Sequence, residues 1–204
     1  MFVSVSSERV LARLGKRKNA RITPEFSELF ESAFTSAVKL QEIKGVWRKM
    51  KIDRREEDFL LLTAQPETGC ENDSLEINSG SVYSWMKGCS LVYAMALTVG
   101  EPLSGKIQEL TASGDSAAAL IHDTVGSELV EGAANILTRN IGREADRPIT
   151  KRYSPGYADW GIENQTEMDK ILNLGRIGIR FNESFLMLPE KSITAIIGVK
   201  DGGK

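Results

Sequence analysis

Hydrophobic and polar positions recur with two different periods along this chain, and each change of period marks a change of element. After Thr23 and Pro24, residues Phe26, Leu29, Phe30, Ala33, Phe34, Ala37 and Leu40 recur every three to four positions. That spacing predicts a core-facing helix, capped by the Thr23 hydroxyl with Pro24 where no backbone donor is needed. Residues 6–15 predict a shorter helix ending near Gly15, joined to it by a basic connector over 16–21. From Gly45 to Leu62 the period falls toward two. Val46, Trp47, Met50 and Ile52 alternate imperfectly with Arg48, Lys49 and Lys51, which predicts extended strands around a charged turn over residues 53–58. Pro66, Gly69, Asn72 and Asp73 mark a loop, with a short edge strand at 75–77. Ser79 or Ser81 opens a helix through Trp85, and the apolar run 89–99 has the character of a buried strand.

The longest periodic stretch starts at Asp115 or Ser116 and predicts a helix to about residue 140, before Gly142. Ile121, Val125, Leu129, Ala133, Ile136 and Leu137 form its apolar side, while Thr124, Ser127, Glu128, Glu131, Asn135 and Thr138 form a polar stripe. His122 falls among the apolar positions, opposite Glu131, and reads as a core histidine rather than a general base. Gly126 and Gly132 cost about 1 kcal/mol each relative to alanine in a helix interior. Close helix packing or close ligand approach would each account for them. Residues 165–174 predict a short amphipathic helix closed by Gly175, residues 185–189 and 193–199 a pair of strands turning at Pro189, and residues 201–204 a frayed tail.

Composition narrows the class. With 204 residues, 41% hydrophobic and 26% charged, the chain reads as one soluble domain over 1–204 with a sizeable core. A net charge of −2 speaks against a general nucleic-acid binder. No apolar run reaches membrane-spanning length and no basic leader precedes Glu8, so no membrane partner and a cytoplasmic location are expected. Cys70 and Cys89 lack metal-ligand spacing and read as reduced, structural thiols; no metal site is expected. Residues 100–106 fit GxxxxGK, yet Ile107 stands where a magnesium-binding hydroxyl is required and Glu101 sets a negative charge among the phosphates. A strand-to-helix turn is the better reading. No triad or acid–base pair is visible, and no catalytic side chain is assigned.

The chemistry concentrates in Arg152, Tyr153, Ser154, Pro155, Gly156, Tyr157, Ala158, Asp159 and Trp160. Pro155 fixes its own φ, and Gly156 admits a backbone conformation closed to other residues and lets a ligand come near. Arg152 offers a planar charge suited to a carboxylate. Tyr153, Tyr157 and Trp160 offer flat faces with polar tips, suited to a heteroaromatic ligand. By itself the stretch reads more readily as an ordinary turn whose aromatics cover the core, because Pro-Gly dipeptides are common turn signals.

Arg-x-x-x-Gly-Tyr, Arg152 to Tyr157, resembles the S-adenosylmethionine motif of the activation (reactivation) domain of cobalamin-dependent methionine synthase. Residues 128–134, Glu-Leu-Val-Glu-Gly-Ala-Ala, resemble the family's helix segment that supplies a ligand-binding glutamate. Residues 182–189 and 191–194 resemble its strand pair. The resemblance covers about 89–199, and residues 1–75 have no secure match. It implies an α+β fold with a mainly antiparallel, curved sheet and packed helices. It further implies an S-adenosylmethionine site in which Arg152 takes the ligand's carboxylate and Glu131 its ammonium group. Ser154, Pro155, Gly156, Tyr157, Ala158 and Asp159 form the surrounding loop, and Tyr157 or Trp160 stacks near the adenine or sulfonium. The implied role is reductive reactivation of a methionine synthase, in methionine biosynthesis, whose cobalamin (vitamin B12) is carried on a separate chain. The electron comes from a flavodoxin or ferredoxin-like donor. The alternative is a reactivation or docking module for another corrinoid methyltransferase, without methyl delivery of its own. Asp159 and Trp160 replace the small residues common after the tyrosine in the family, and a further family tyrosine has no counterpart here.

Overall fold

The apolar run after Cys89 becomes strand β4 (Cys89–Thr98), flanked on both sides in a five-stranded sheet. The computed structural model describes residues 1–16 and 21–202; most of the expected basic connector and the end of the expected tail lie outside the described residues. The sheet runs β3 (Ser74–Asn78), β2 (Phe59–Thr63), β1 (Lys44–Glu56), β4 and β7 (Ser192–Lys200), with every neighbouring pair antiparallel. The continuous hydrophobicity of β4 hides a period of two. Tyr93, Met95 and Leu97 enter one core, and Val92, Ala94 and Ala96 enter the other. An antiparallel strand covered on both faces reads like a parallel one.

Helices α1 (Ser7–Arg13), α2 (Pro24–Lys39), α4 (Glu101–Ala112) and α5 (Ser116–Ala145) supply the first core. The caps are as the sequence predicts: Thr23 Oγ1 accepts from the Phe26 N–H at 3.3 Å, and Ser79 Oγ from the Val82 N–H at 3.0 Å. Ser79 thereby starts α3 (Gly80–Trp85), which packs with α6 (Gln165–Leu172) and Trp160 on the opposite face of the sheet. The α+β class with a mainly antiparallel sheet is the observed one.

Three boundaries differ from the sequence reading. β1 continues through the charged residues to Glu56, because Arg54 lies 4.7 Å over the Phe59 ring and Arg55 donates to the carbonyls of Met86 and Cys89 at 3.0 and 2.9 Å. The turn shrinks to Glu57 and Asp58. α5 runs past Gly142 to Ala145 and ends on Asp146 in the left-handed region (φ 49°); a Cβ at Gly142 would lie 3.3 Å from Ile149 Cδ1. The expected strand pair at 185–199 is not a pair: β6 (Met187–Leu188) joins β5 (Arg180–Phe181) in a separate small sheet, and β7 joins β4. Gly126 and Gly132 mark close packing. Their added Cβ atoms would meet Leu103 and Lys191 at 3.1 Å and Val3 at 2.7 Å respectively. His122 is buried with Nδ1 against the Ala118 carbonyl at 2.8 Å and Nε2 against Ser36 Oγ at 3.2 Å, a satisfied core histidine.

Candidate functional site

The outer edge of β7 is not left bare. Residues 148–153 run along it in antiparallel bonds: Thr150 N–H to the Gly198 carbonyl at 2.8 Å, and Tyr153 exchanging both bonds with Ile196 at 3.0 and 2.8 Å. This edge pairing delivers Arg152 to the polar stripe of α5. Arg152 Nη2 donates to Glu131 Oε2 at 2.9 Å, while Nη1 reaches Asn135 Oδ1 at 3.3 Å and Thr138 Oγ1 at 3.5 Å. The spacing of the stripe, residues 131, 135 and 138, is the helical repeat that lets one guanidinium touch all three. Arg152 is 21% exposed and Glu131 45%, so the pair is reachable from solvent while its guanidinium is held from three directions.

The pair borders a cleft of about 530 Å³. Tyr153, Ser154, Pro155 and Tyr157 form one wall, with Trp85 from α3 nearby, and Ser192, Ile193 and Thr194 of β7 and Gln165 of α6 complete it. Ser154 Oγ donates to the Thr194 carbonyl at 2.6 Å, tying the loop to β7. Tyr153 is the hub of the aromatic group. Its ring lies 5.5 Å from Trp85, 6.4 Å from Tyr157 and 6.3 Å from Trp160. Trp85 is fixed in turn by its Nε1–H to the Lys151 carbonyl at 3.1 Å.

The candidate residues divide by position. Glu131, Arg152, Ser154, Pro155 and Tyr157 line the cleft; Gly156, Ala158 and Asp159 do not. Gly156 (φ 91°) and Ala158 (φ 49°) shape the turn, and the Gly156 N–H is committed to the Trp160 carbonyl at 2.7 Å. Asp159 accepts from Ser79 Oγ at 2.7 Å and from the Ser81 N–H at 3.3 Å, so it clamps the loop to the start of α3. Those bonds, the Ser79 hydroxyl first and Ser81 next, hold its carboxyl below the usual carboxylate range. Trp160 is fully buried in the second core and does not line the cleft; the ligand-stacking option drawn from sequence falls to Tyr157, which is 67% exposed. Sequence reasoning gave no site role to Trp85, Gln165, Thr194 or Met187, which reach the cleft from four other elements. Only Trp85 carried a visible signal, as the aromatic end of a helix.

Two other sequence features resolve here. α4 begins at Glu101 directly after Gly100, so residues 101–106 form helix rather than a phosphate loop. A larger hollow of about 710 Å³ lies over Lys49, Lys51, Asp53 and Glu67, but its acids already have partners: Asp53 with Lys51 at 2.9 Å and Glu67 with Arg176 at 2.7 Å.

No protein-family model matches this sequence, and no curated protein matches it. Among solved structures, the chain is similar to the MetH reactivation domain bound to AdoHcy, with a TM-score of 0.66 over 99% of this chain and 72% of that one, at 14% identity. The fold is that of the MetH reactivation domain. At that identity the likeness establishes architecture alone. No helix among the described residues is long and apolar enough to cross a membrane.

Proposed function

We propose that this protein binds S-adenosylmethionine in the cleft between α5 and residues 152–157 and serves the reductive reactivation of a cobalamin-dependent methionine synthase carried on another chain. The observation that supports this most directly is the Arg152–Glu131 pair at the cleft. An α-amino acid presents a carboxylate and an ammonium group on one carbon, and these two side chains offer the opposite charge to each. In the structure the two side chains satisfy one another at 2.9 Å. On binding, the carboxylate takes the guanidinium and the ammonium takes Glu131, so one charge-assisted contact is exchanged for two. Asn135 and Thr138 hold the guanidinium at its other edge during the exchange. Tyr157 and Tyr153 provide the face for the adenine or the sulfonium.

The fold supports the same reading, since the similar solved structure carries AdoHcy, the demethylated form of this ligand. The methyl leaves sulfur as an electrophile, with its bonding pair remaining on sulfur, and reduced cobalamin held by the partner is the acceptor. A flavodoxin or ferredoxin-like donor supplies the electron that reduces it. This chain contributes binding and orientation: it holds the amino-acid end so that the sulfonium methyl is presented at a fixed place. Calorimetric titration with S-adenosylmethionine tests the reading. Saturable binding by the wild type that Arg152→Ala and Glu131→Ala each weaken supports it. A folded wild type that stays silent, alone and with a cobalamin-loaded methionine synthase present, sinks it.

A further inference from the structure

Gln165, the first residue of α6, has a primary amide yet is only 4% exposed. Its Oε1 accepts from the hydroxyl of Thr194, which is 1% exposed on β7. Thr194 faces the same side of the sheet as Ile196, where the surrounding core is apolar. Gln165 Nε2 is not among the fully buried atoms left without a partner, and the side chain borders the cleft. With Oε1 engaged, the amide nitrogen has no protein partner among the described residues, and Gln165 lines the same cleft as Arg152 and Glu131. The backbone carbonyl of Thr194 holds Ser154 of the loop, so one strand residue fixes both the loop and the amide.

The charged clamp accounts for the amino-acid end of the ligand. An uncharged donor elsewhere in the cleft matches an uncharged acceptor, a ring nitrogen or a ribose oxygen. We infer that Gln165, oriented by Thr194, is a specificity-determining residue whose amide nitrogen donates to the adenosine half of the ligand. This rests on the S-adenosylmethionine reading above and adds to it a residue that selects a nucleoside rather than any α-amino acid.

The test titrates three probes, S-adenosylhomocysteine by calorimetry and adenosine and methionine by ligand-observed NMR, against wild type, Gln165→Leu, Gln165→Asn and Thr194→Val. Gln165→Leu weakens S-adenosylhomocysteine and adenosine by about tenfold, the worth of one well-made hydrogen bond, and leaves methionine unchanged. Gln165→Asn retracts the amide and acts in the same direction. Thr194→Val frees the amide to rotate and gives a smaller loss. A purely packing role lowers thermal stability and leaves the ratio of adenosine to methionine affinity where it was. That constant ratio, in any folded variant of Gln165, overturns the assignment while the clamp stands. A folded wild type that binds none of the three probes, alone and with a cobalamin-loaded methionine synthase present, removes the S-adenosylmethionine reading itself.

Discussion

Two arginine-bound glutamates lie three residues apart on α5 and behave as opposites. Glu128 has a side chain 5% exposed and is held by Arg13 at 2.5 Å and Arg9 at 3.1 Å, both from α1. Glu131 is 45% exposed and, among the described residues, meets a single arginine, Arg152, across the cleft. In the sequence both belong to one polar stripe. What separates them is cover: α1 lies over Glu128 and seals it, whereas among the described residues nothing closes over Glu131. A covered carboxylate with two cations is already satisfied and serves to dock a helix. An uncovered one with a single cation can trade its partner for a ligand's ammonium group.

The largest expected contrast is therefore in binding. On the proposed reading, Arg152→Ala removes a charge-assisted pair to the ligand's carboxylate and should weaken S-adenosylmethionine by about 100-fold, while its unfolding free energy moves by no more than about 1 kcal/mol, as for other solvent-reachable pairs. Removing Arg9 and Arg13 together to alanine should do the reverse. Glu128 is then left under α1 without a cation, and the loss should reach about 2 kcal/mol, below the full value for a buried pair because both arginines are largely exposed. Ligand affinity stays unchanged. Urea unfolding and calorimetry on the same two variants check the pattern. A double variant as stable as wild type, or one that loses ligand in proportion to stability, breaks the comparison.

A smaller effect concerns the clamp that sets the wall of the cleft. Asp159 has its folded carboxyl held below the ordinary value by Ser79 and Ser81. A depressed folded pKa contributes stability that is full above the unfolded value, about 3.9, and is lost as pH falls from there toward the folded one. Melting temperatures measured downward from about pH 5 should fall more steeply for wild type than for Asp159→Asn. Parallel slopes would show that the carboxylate does not couple to folding.

Much of this architecture is legible in the sequence, because the signals are local. The Thr23 cap, the Ser79 cap, the core stripe of α2 and the buried run of β4 each depend on residues within a few positions. The signals that mislead depend on what lies across the fold. Trp160 and Tyr157 are both aromatic and sit three apart in one turn, yet one is fully buried and the other two-thirds exposed, a difference made by the core that α6 and the sheet build around Trp160. Met187 and Leu188 alternate like a partner for β7, but β4 and the 148–153 segment occupy both edges of that strand. Gln165 carried no signal, since a polar residue opening an amphipathic helix ordinarily faces water. The Arg152–Glu131 contact joins residues 21 apart, and in the sequence only the family resemblance, not spacing, links them.

The smallest effect sets two glycines of the GxxxxGK stretch against each other. Gly100 has φ 104°, and an added Cβ would come 2.7 Å from Glu42 Cβ, so alanine there is strained in its backbone and crowded in space. Gly105 lies within α4, and a Cβ added to it would meet nothing within 4 Å. Alanine at Gly105 should raise stability by about 0.5–1 kcal/mol, by removing unfolded-state freedom and favouring the helix. Alanine at Gly100 should lower it. In a phosphate loop both glycines would serve a bound nucleotide, and both substitutions would weaken its binding. Here the two should move urea midpoints in opposite directions and leave S-adenosylmethionine affinity alone, because neither residue lines the cleft. A loss of stability on Gly105→Ala would mean that this face of α4 is covered by something other than water, and the contrast between sealed and open surfaces drawn along α5 would then extend to its neighbour.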